Sequence, residues 1–401
     1  PVVATIFSKE KTKWLNILHA GWPAGLALGG ILAILMGPEV SWKWKVALVL
    51  IPVVVYGVML YGREFPVQER VKAGVSFKDM LSEAGAVGFF LIFYTVLLEI
   101  NRVAGLTPLV ESNFLSLPHV SLTLSLILVS VGYYIYTNSL GRPLFILLLL
   151  IMIPLATTEL GTDSWITDLM VPFLGNNAGW VVVYTAMIMV ILRFYAGPIV
   201  HRTSPLGLLA ISSAIALVGL IILSTATGFM IFIAATIYGL GKTFFWPTML
   251  GVAGERFPKG GALTLNAITG VGMLAAGIFG TPFLGNIQDK QIDSQLLKQN
   301  PAIHAQVMGD QKTSVFGKYN PLDQEKVSDL SSSDQAIIAE VQTASKQGAL
   351  STVAVFPGIM LICYLGMIGY FRSRGGYKAI DLSGDNSSTP QEDISTEGDK
   401  A

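Results

Sequence analysis

An all-α integral membrane bundle is the fold class predicted here, and three features of the sequence predict it. Only 13% of the 401 residues are charged and mean hydropathy is +0.60, whereas an ordinary soluble domain is roughly one-quarter charged. Ten apolar runs are long enough, at about 20 residues each, to cross a hydrocarbon core about 30 Å thick. The charges are also segregated, with 24 of the 52 in residues 287–349 and 372–401. The runs do not alternate as membrane-barrel strands would, so each is predicted to be a helix that satisfies its own backbone groups.

In chain order the spans are predicted at 14–36, 44–62, 85–105, 119–137, 143–166, 178–200, 204–224, 228–250, 262–286 and 350–371. Trp14, Trp42, Trp44 and Trp180 fall at span ends, where an indole keeps its ring apolar and its N–H wet. Lys and Arg in short loops set the orientation. With residue 1 in the cytoplasm, 15 of them lie inside, and the short outer loops hold only Lys43 and Lys45, with Arg102 on the border. Both ends of the chain are therefore expected on the cytoplasmic side of the inner membrane. Residues 63–84 read as a cytoplasmic loop and 287–349 as a small outer subdomain. In the latter, Asn300-Pro301 and the pattern Ser332-x-x-Gln335 look like helix starts. Residues 372–401 read as a disordered tail, with too few large apolar groups to fold.

Composition also excludes several functions. Net charge is zero and there is no basic patch, so nucleic acid is not an expected partner. Cys363 is the only cysteine, and His19, His119, His201 and His304 stand apart without metal-ligand spacing. No nucleophile motif is present. Gly241-Lys242-Thr243 resembles the end of a phosphate loop, but Thr236 stands where the motif needs glycine and no strand precedes it. The expectation is a monomeric non-enzyme with no metal or cofactor, powered by a proton or sodium gradient, with the lipid bilayer and a small polar solute as its partners.

A repeat at an offset of 250 residues matches Leu15-Asn16, Gly25 and Gly30 with Leu265-Asn266, Ala275 and Gly280. If 262–286 is the fifth helix of a six-helix half, 14–36 is the fifth of an earlier half whose first four helices would precede residue 1. An N-terminally truncated chain is expected on that basis, the alternative being a complete ten-helix protein. The two halves, the turn Gly197-Pro-Ile-Val-His201-Arg202 and the Gly277, Gly280, Pro282, Gly285 series resemble the major facilitator superfamily. Leu15-Asn16 and the stretch Glu159-Leu-Gly-Thr-Asp163-Ser-Trp165 are most similar to its fucose and glucose permease branch. The resemblance covers residues 1–62 and 143–371. It implies a transporter working by alternating access, with a sugar as solute and a proton as coupling ion. The organisation expected is the end of an N-terminal bundle (1–62), the loop 63–84, two added linker helices (85–142), a C-terminal bundle (143–371) and the tail.

Ionisable side chains inside a bilayer are expensive and so mark function. Glu159 and Asp163 lie four apart on one helix face, with Thr158 and Thr162 nearby. They are either proton-coupling carboxylates or solvated acids in an outer vestibule. Lys242 lies roughly 12–15 Å from the cytoplasmic end of its span, deeper than its stem reaches comfortably. It either lines the solute site or pairs with a neighbouring helix. Pro247 removes a helical hydrogen bond and frees the carbonyl near Thr243, so a kink and a polar spot should coincide there. Asn266 and Thr264 could offer polar groups to a polyol, and Trp165, Tyr184 and Trp246 could stack on a sugar face. The family's loop motif implies a conformational latch at Arg193, Gly197, His201 and Arg202, with Glu255 and Arg256 as counterparts. Two other function classes stay open: a nutrient sensor on a carrier fold, and a membrane-embedded transferase.

Overall fold

Proline stands at most of the places where the apolar runs break. The computed structural model describes residues 1–106 and 118–382, apart from the side chains of Arg102, Asp163, Ser164, Asp168, Pro172, Phe173, Asn176 and Thr281. The first span follows α1 (Val2–Ile6) and is two helices, α2 (Lys11–His19) and α3 (Gly21–Leu35). The second is α4 (Trp42–Ala47) and α5 (Leu50–Leu60), and α6 (Glu69–Lys72) lies in the loop after it. Next come α7 (Phe77–Ala104) and α8 (Val120–Thr137). Six spans follow: α9 (Pro143–Gly161) with α10 (Asp163–Leu174), α11 (Trp180–Phe194) with α12 (Ala196–Thr203), α13 (Pro205–Leu223), and α14 (Phe229–Lys242) with α15 (Phe245–Arg256). The fifth is α16 (Gly261–Ala275), which passes through the π-helical turn Ala276–Gly280 into α17 (Thr281–Gln299). Beyond α18 (Pro301–Val307), β1 (Lys312–Ser314), β2 (Gly317–Tyr319) and α19 (Gln324–Ser328), the sixth is α20 (Ser332–Val353) with α21 (Val355–Arg372).

Among the described residues nine helices are long and apolar enough to cross a membrane, or ten if the pair α11–α12, bent by 64°, is one span. The all-α expectation has one exception, the antiparallel hairpin β1–β2. Pro23, Pro52, Pro198, Pro247 and Pro357 are each the third residue of α3, α5, α12, α15 and α21. In a first turn proline has no intrahelical bond to lose, but the carbonyl four residues earlier is left without its usual donor. A run expected to be one straight helix, such as 178–200, is therefore two segments.

The pair α7–α8 packs through α7 on α9 and α16. Its α7 is broken at Gly85, whose φ of 59° suits only glycine. The N–H groups of Ala86 and Val87 donate instead to the carbonyls of Ser139 and Leu140 at 3.0 and 3.1 Å. Lys- and Arg-rich turns gather at one end of the spans, called here the basic end. The opposite end carries the 287–349 subdomain, which has its own core of Ile292, Leu296, Ile303, Val307, Ile338 and Val341. Asn300 caps α18 as expected from sequence, but the cap of α20 is Ser331, one residue before the predicted Ser332. The side chain of Gln335 bonds the carbonyls of Ser328 and Leu330 and so faces away from a capping box. The start of the expected disordered tail is ordered, since Tyr377 to Ile380 pack back on the end of α15, and residues 383–401 lie outside the described residues.

Helices α13 and α14 cross through glycine. A Cβ on Gly219 would stand 2.6 Å from the backbone of Tyr238, and backbone cannot yield as a flexible side chain can. Gly219→Val is expected to force the helices apart and to destabilise the protein by about 1–3 kcal/mol, seen as a lower thermal midpoint in detergent. An unchanged midpoint would contradict this crossing.

Candidate functional site

Two of the proline-freed carbonyls converge on one arginine. Pro23 leaves the carbonyl of His19 without its helical donor, and Pro247 does the same to Thr243. Arg193 donates from Nη1 to His19 O at 2.9 Å and from Nε to Thr243 O at 2.6 Å. Its Nη2 meets Glu159 Oε1 at 2.8 Å, and the side chains of the pair are 1% and 3% exposed. The other carboxylate oxygen accepts the backbone N–H of Trp246, in the first turn of α15, at 3.0 Å. Every nitrogen of the planar guanidinium thus has an acceptor, and the carboxylate sits against a helix N-terminus. A buried ion pair offsets its desolvation only when its remaining bonding capacity is met in this way. The pair lies near the middle of spans Pro143–Val171 and Trp180–Thr203.

Lys242 is 1% exposed, stands 5.5 Å from the ring centroid of Tyr238 and lies within electrostatic range of Glu159. The Tyr238 hydroxyl donates to Thr158 O and pairs with Thr162 Oγ1 at 2.6 Å. It therefore bridges α14 to the place where α9 gives way to α10. Tyr238 was not singled out by sequence, since a tyrosine in an apolar run reads as packing or interface belt. Its position one turn before Lys242 was the available signal. Among the described residues no group of three or more His, Cys, Asp or Glu side chains is gathered as a metal site needs.

The structure sorts the sequence candidates. Glu159, Lys242, Thr243 and Trp246 come together around Arg193. The vestibule alternative for Glu159 fails because its carboxylate is 3% exposed and fully engaged. The side chain of Asp163 lies outside the described residues. Arg193, which the loop motif assigns to the latch, is corrected to this buried cluster, because the bend after Phe194 leaves it inside the bundle while α12 continues to the surface. The indole rings of Trp165 and Trp246 are packed in the main apolar core, and Trp246 meets Gly272 of α16. Tyr184 stacks on Phe232 at 4.7 Å, bonds Thr236 and lines an apolar cavity of about 280 Å³ with Trp180 and Leu174. Asn266 is exposed on α16, whereas Thr264 is buried and turned to the carbonyls of Phe257 and Gly261.

The remaining latch residues sit at the basic end. His201 lies 3.3 Å from Glu10, Gly197 packs on the stem of Lys13, and Arg202 is exposed. The principal contact there is between α2 and α15, which cap each other. Helix α2 has no side-chain N-cap of its own, and Glu255 Oε1 accepts both the backbone N–H of Thr12, at 3.2 Å, and its hydroxyl, at 2.5 Å. In return Lys11 Nζ donates to Gly254 O, in the last turn of α15, at 3.1 Å and to Glu69 at 2.7 Å. Arg256 stacks on Phe371 and bonds Lys378 O at 2.7 Å. One turn deeper, buried Asn16 donates to Thr248 at 3.2 Å.

Arg193→Met should strand the Glu159 carboxylate and cost about 3–5 kcal/mol. Adding Glu159→Leu should restore a substantial part of that loss. Thermal melts of the two single variants and the double variant test this, and strictly additive losses would show that the two side chains do not act as a pair.

No curated protein matches the chain at a significant level. The family model of the Major Facilitator Superfamily matches residues 1–281, from α1 to the first residue of α17. That is more than half the chain and takes in every residue of the Glu159–Arg193 cluster, so the chain belongs to the Major Facilitator Superfamily, a family of secondary transporters.

Proposed function

We propose that this transporter moves a small polar solute of the sugar class across the cytoplasmic membrane in symport with protons, and that Glu159 carries the proton. The reading is supported chiefly by the buried Glu159–Arg193 pair, held near mid-membrane where α2, α14 and the α11–α12 span are all interrupted. Broken helices expose backbone groups that a passing solute or ion can use. Protonation of Glu159 removes its charge and frees Arg193 Nη2 and the Trp246 N–H, both of which suit solute hydroxyls. Conversely, a solute that engages Arg193 leaves Glu159 unpaired, and an unpaired carboxylate in low dielectric is cheaper protonated. Each binding event thereby favours the other.

The basic end is the cytoplasmic side in this reading, with both ends of the chain facing the cytosol, and the mutual capping of α2 and α15 is the cytoplasmic gate. Lys11, Thr12 and Asn16 belong to the first half and Gly254, Glu255 and Thr248 to the second, so these bonds must open when the halves rock apart. The likeness of Leu15-Asn16 and of 159–165 to sugar permeases is what favours a sugar.

Proteoliposomes carrying the full-length protein and offered a panel of radiolabelled sugars test the reading. An inward proton gradient should drive accumulation of one sugar. Glu159→Gln should abolish the accumulation while leaving exchange of that sugar between the two sides. Gradient-driven uptake that survives Glu159→Gln would remove Glu159 from the coupling role.

A further inference from the structure

After α21 the chain turns through Gly375 and Gly376, both with φ near +90°, and comes back against the end of α15. Tyr377 donates its hydroxyl to Glu255 Oε2 at 2.8 Å. The Ile380 N–H donates to Glu255 O at 2.8 Å, and Lys378 O accepts from Arg256. The ring of Tyr377 rests on Phe371. Residues 377–380 thus form a strap held by three hydrogen bonds to two consecutive residues, Glu255 and Arg256, of which Glu255 also meets α2. The two oxygens of Glu255 are divided between Thr12 of α2 and Tyr377 of the strap.

We propose that Tyr377 is a positioning residue of the cytoplasmic gate, acting through Glu255. This rests on the α2–α15 contact being that gate. Glu255 is 9% exposed, and its carboxylate has two donors on one side, the N–H and the hydroxyl of Thr12. With the Tyr377 hydroxyl on the other oxygen, its plane is fixed so that Oε1 points at the first turn of α2. Burial first, and then the Glu255 charge, hold the Tyr377 hydroxyl well above the ordinary tyrosine range, so it remains a donor. Without that hydroxyl Glu255 Oε2 is left to water, the carboxylate rotates more freely, and the closed arrangement loses part of its advantage.

The test uses the full chain with Cys363→Ser and a reporter at Leu15→Cys. Leu15 is 2% exposed on the α2 face that carries Lys11, Thr12 and Asn16, so a thiol there is reached from the basic end only when α2 and α15 part. Tyr377→Phe keeps the ring on Phe371 and removes only the hydroxyl. It should raise the labelling rate by about fivefold to tenfold with an unchanged thermal midpoint, and truncation after Gly376 should do at least as much. Thr12→Val is the control for the gate itself and should also raise labelling. If Thr12→Val speeds labelling and Tyr377→Phe and the truncation do not, the gate stands and the proposal for Tyr377 is overturned. If none of the three changes labelling, the gate reading fails and the proposal falls with it.

Discussion

A guanidinium at the centre of a membrane protein needs acceptors, and in this chain proline supplies two of them. Arg193 is held by the carbonyls of His19 and Thr243, each four residues before a proline that cannot donate back to it. In water such carbonyls would be solvated, but in hydrocarbon they must find a donor within the protein. Helix breaks and buried charge therefore satisfy one another. The Glu159 carboxylate completes the set by taking the amide that opens α15, so the start of the helix whose proline freed Thr243 O also binds the counter-charge.

One face of α2 carries a series of polar contacts with α15 and Arg193. Lys11, Thr12, Asn16 and the carbonyl of His19 follow at helical spacing, and they meet Gly254, Glu255, Thr248 and Arg193 in turn. The contacts pass from charged, at the basic end, to amide and hydroxyl, to the central guanidinium. Polar bonding of this kind suits the proposed gate, because each group can be rehydrated if α2 leaves. Glycine handles the closest backbone approaches: Gly161 faces Gly280, and Gly219 meets the backbone of Tyr238.

The 287–349 subdomain is attached to the bundle by aromatic rings. Phe316, between β1 and β2, lies 5.5 Å from Phe279 and 4.8 Å from Phe283. Those two phenylalanines flank the end of the π-helical turn whose last residue, Gly280, packs on Gly161, two positions from Glu159. Gln347 also donates to the carbonyl of Ala226, beside the α13–α14 turn, at 2.6 Å. The subdomain is continuous with α17 and α20.

By itself the sequence determined the span count, the helical class and the break at Thr243. Hydropathy over about 20 residues and the position of Pro247 are local properties that need no partner. It also marked Glu159 and Lys242, since charge inside an apolar run is visible without a fold. Tertiary structure alone decided that Arg193 pairs with Glu159 and not with the loop motif four to nine residues on, and that Glu255 is shared by Thr12 and Tyr377. Those partners are 34, 243 and 122 residues apart, and periodicity within one helix says which face a residue occupies but not which neighbour that face will meet. The trail of prolines was legible throughout, yet only the packing of α2, α9, α11 and α14 around one guanidinium gave the carbonyls they free a common use.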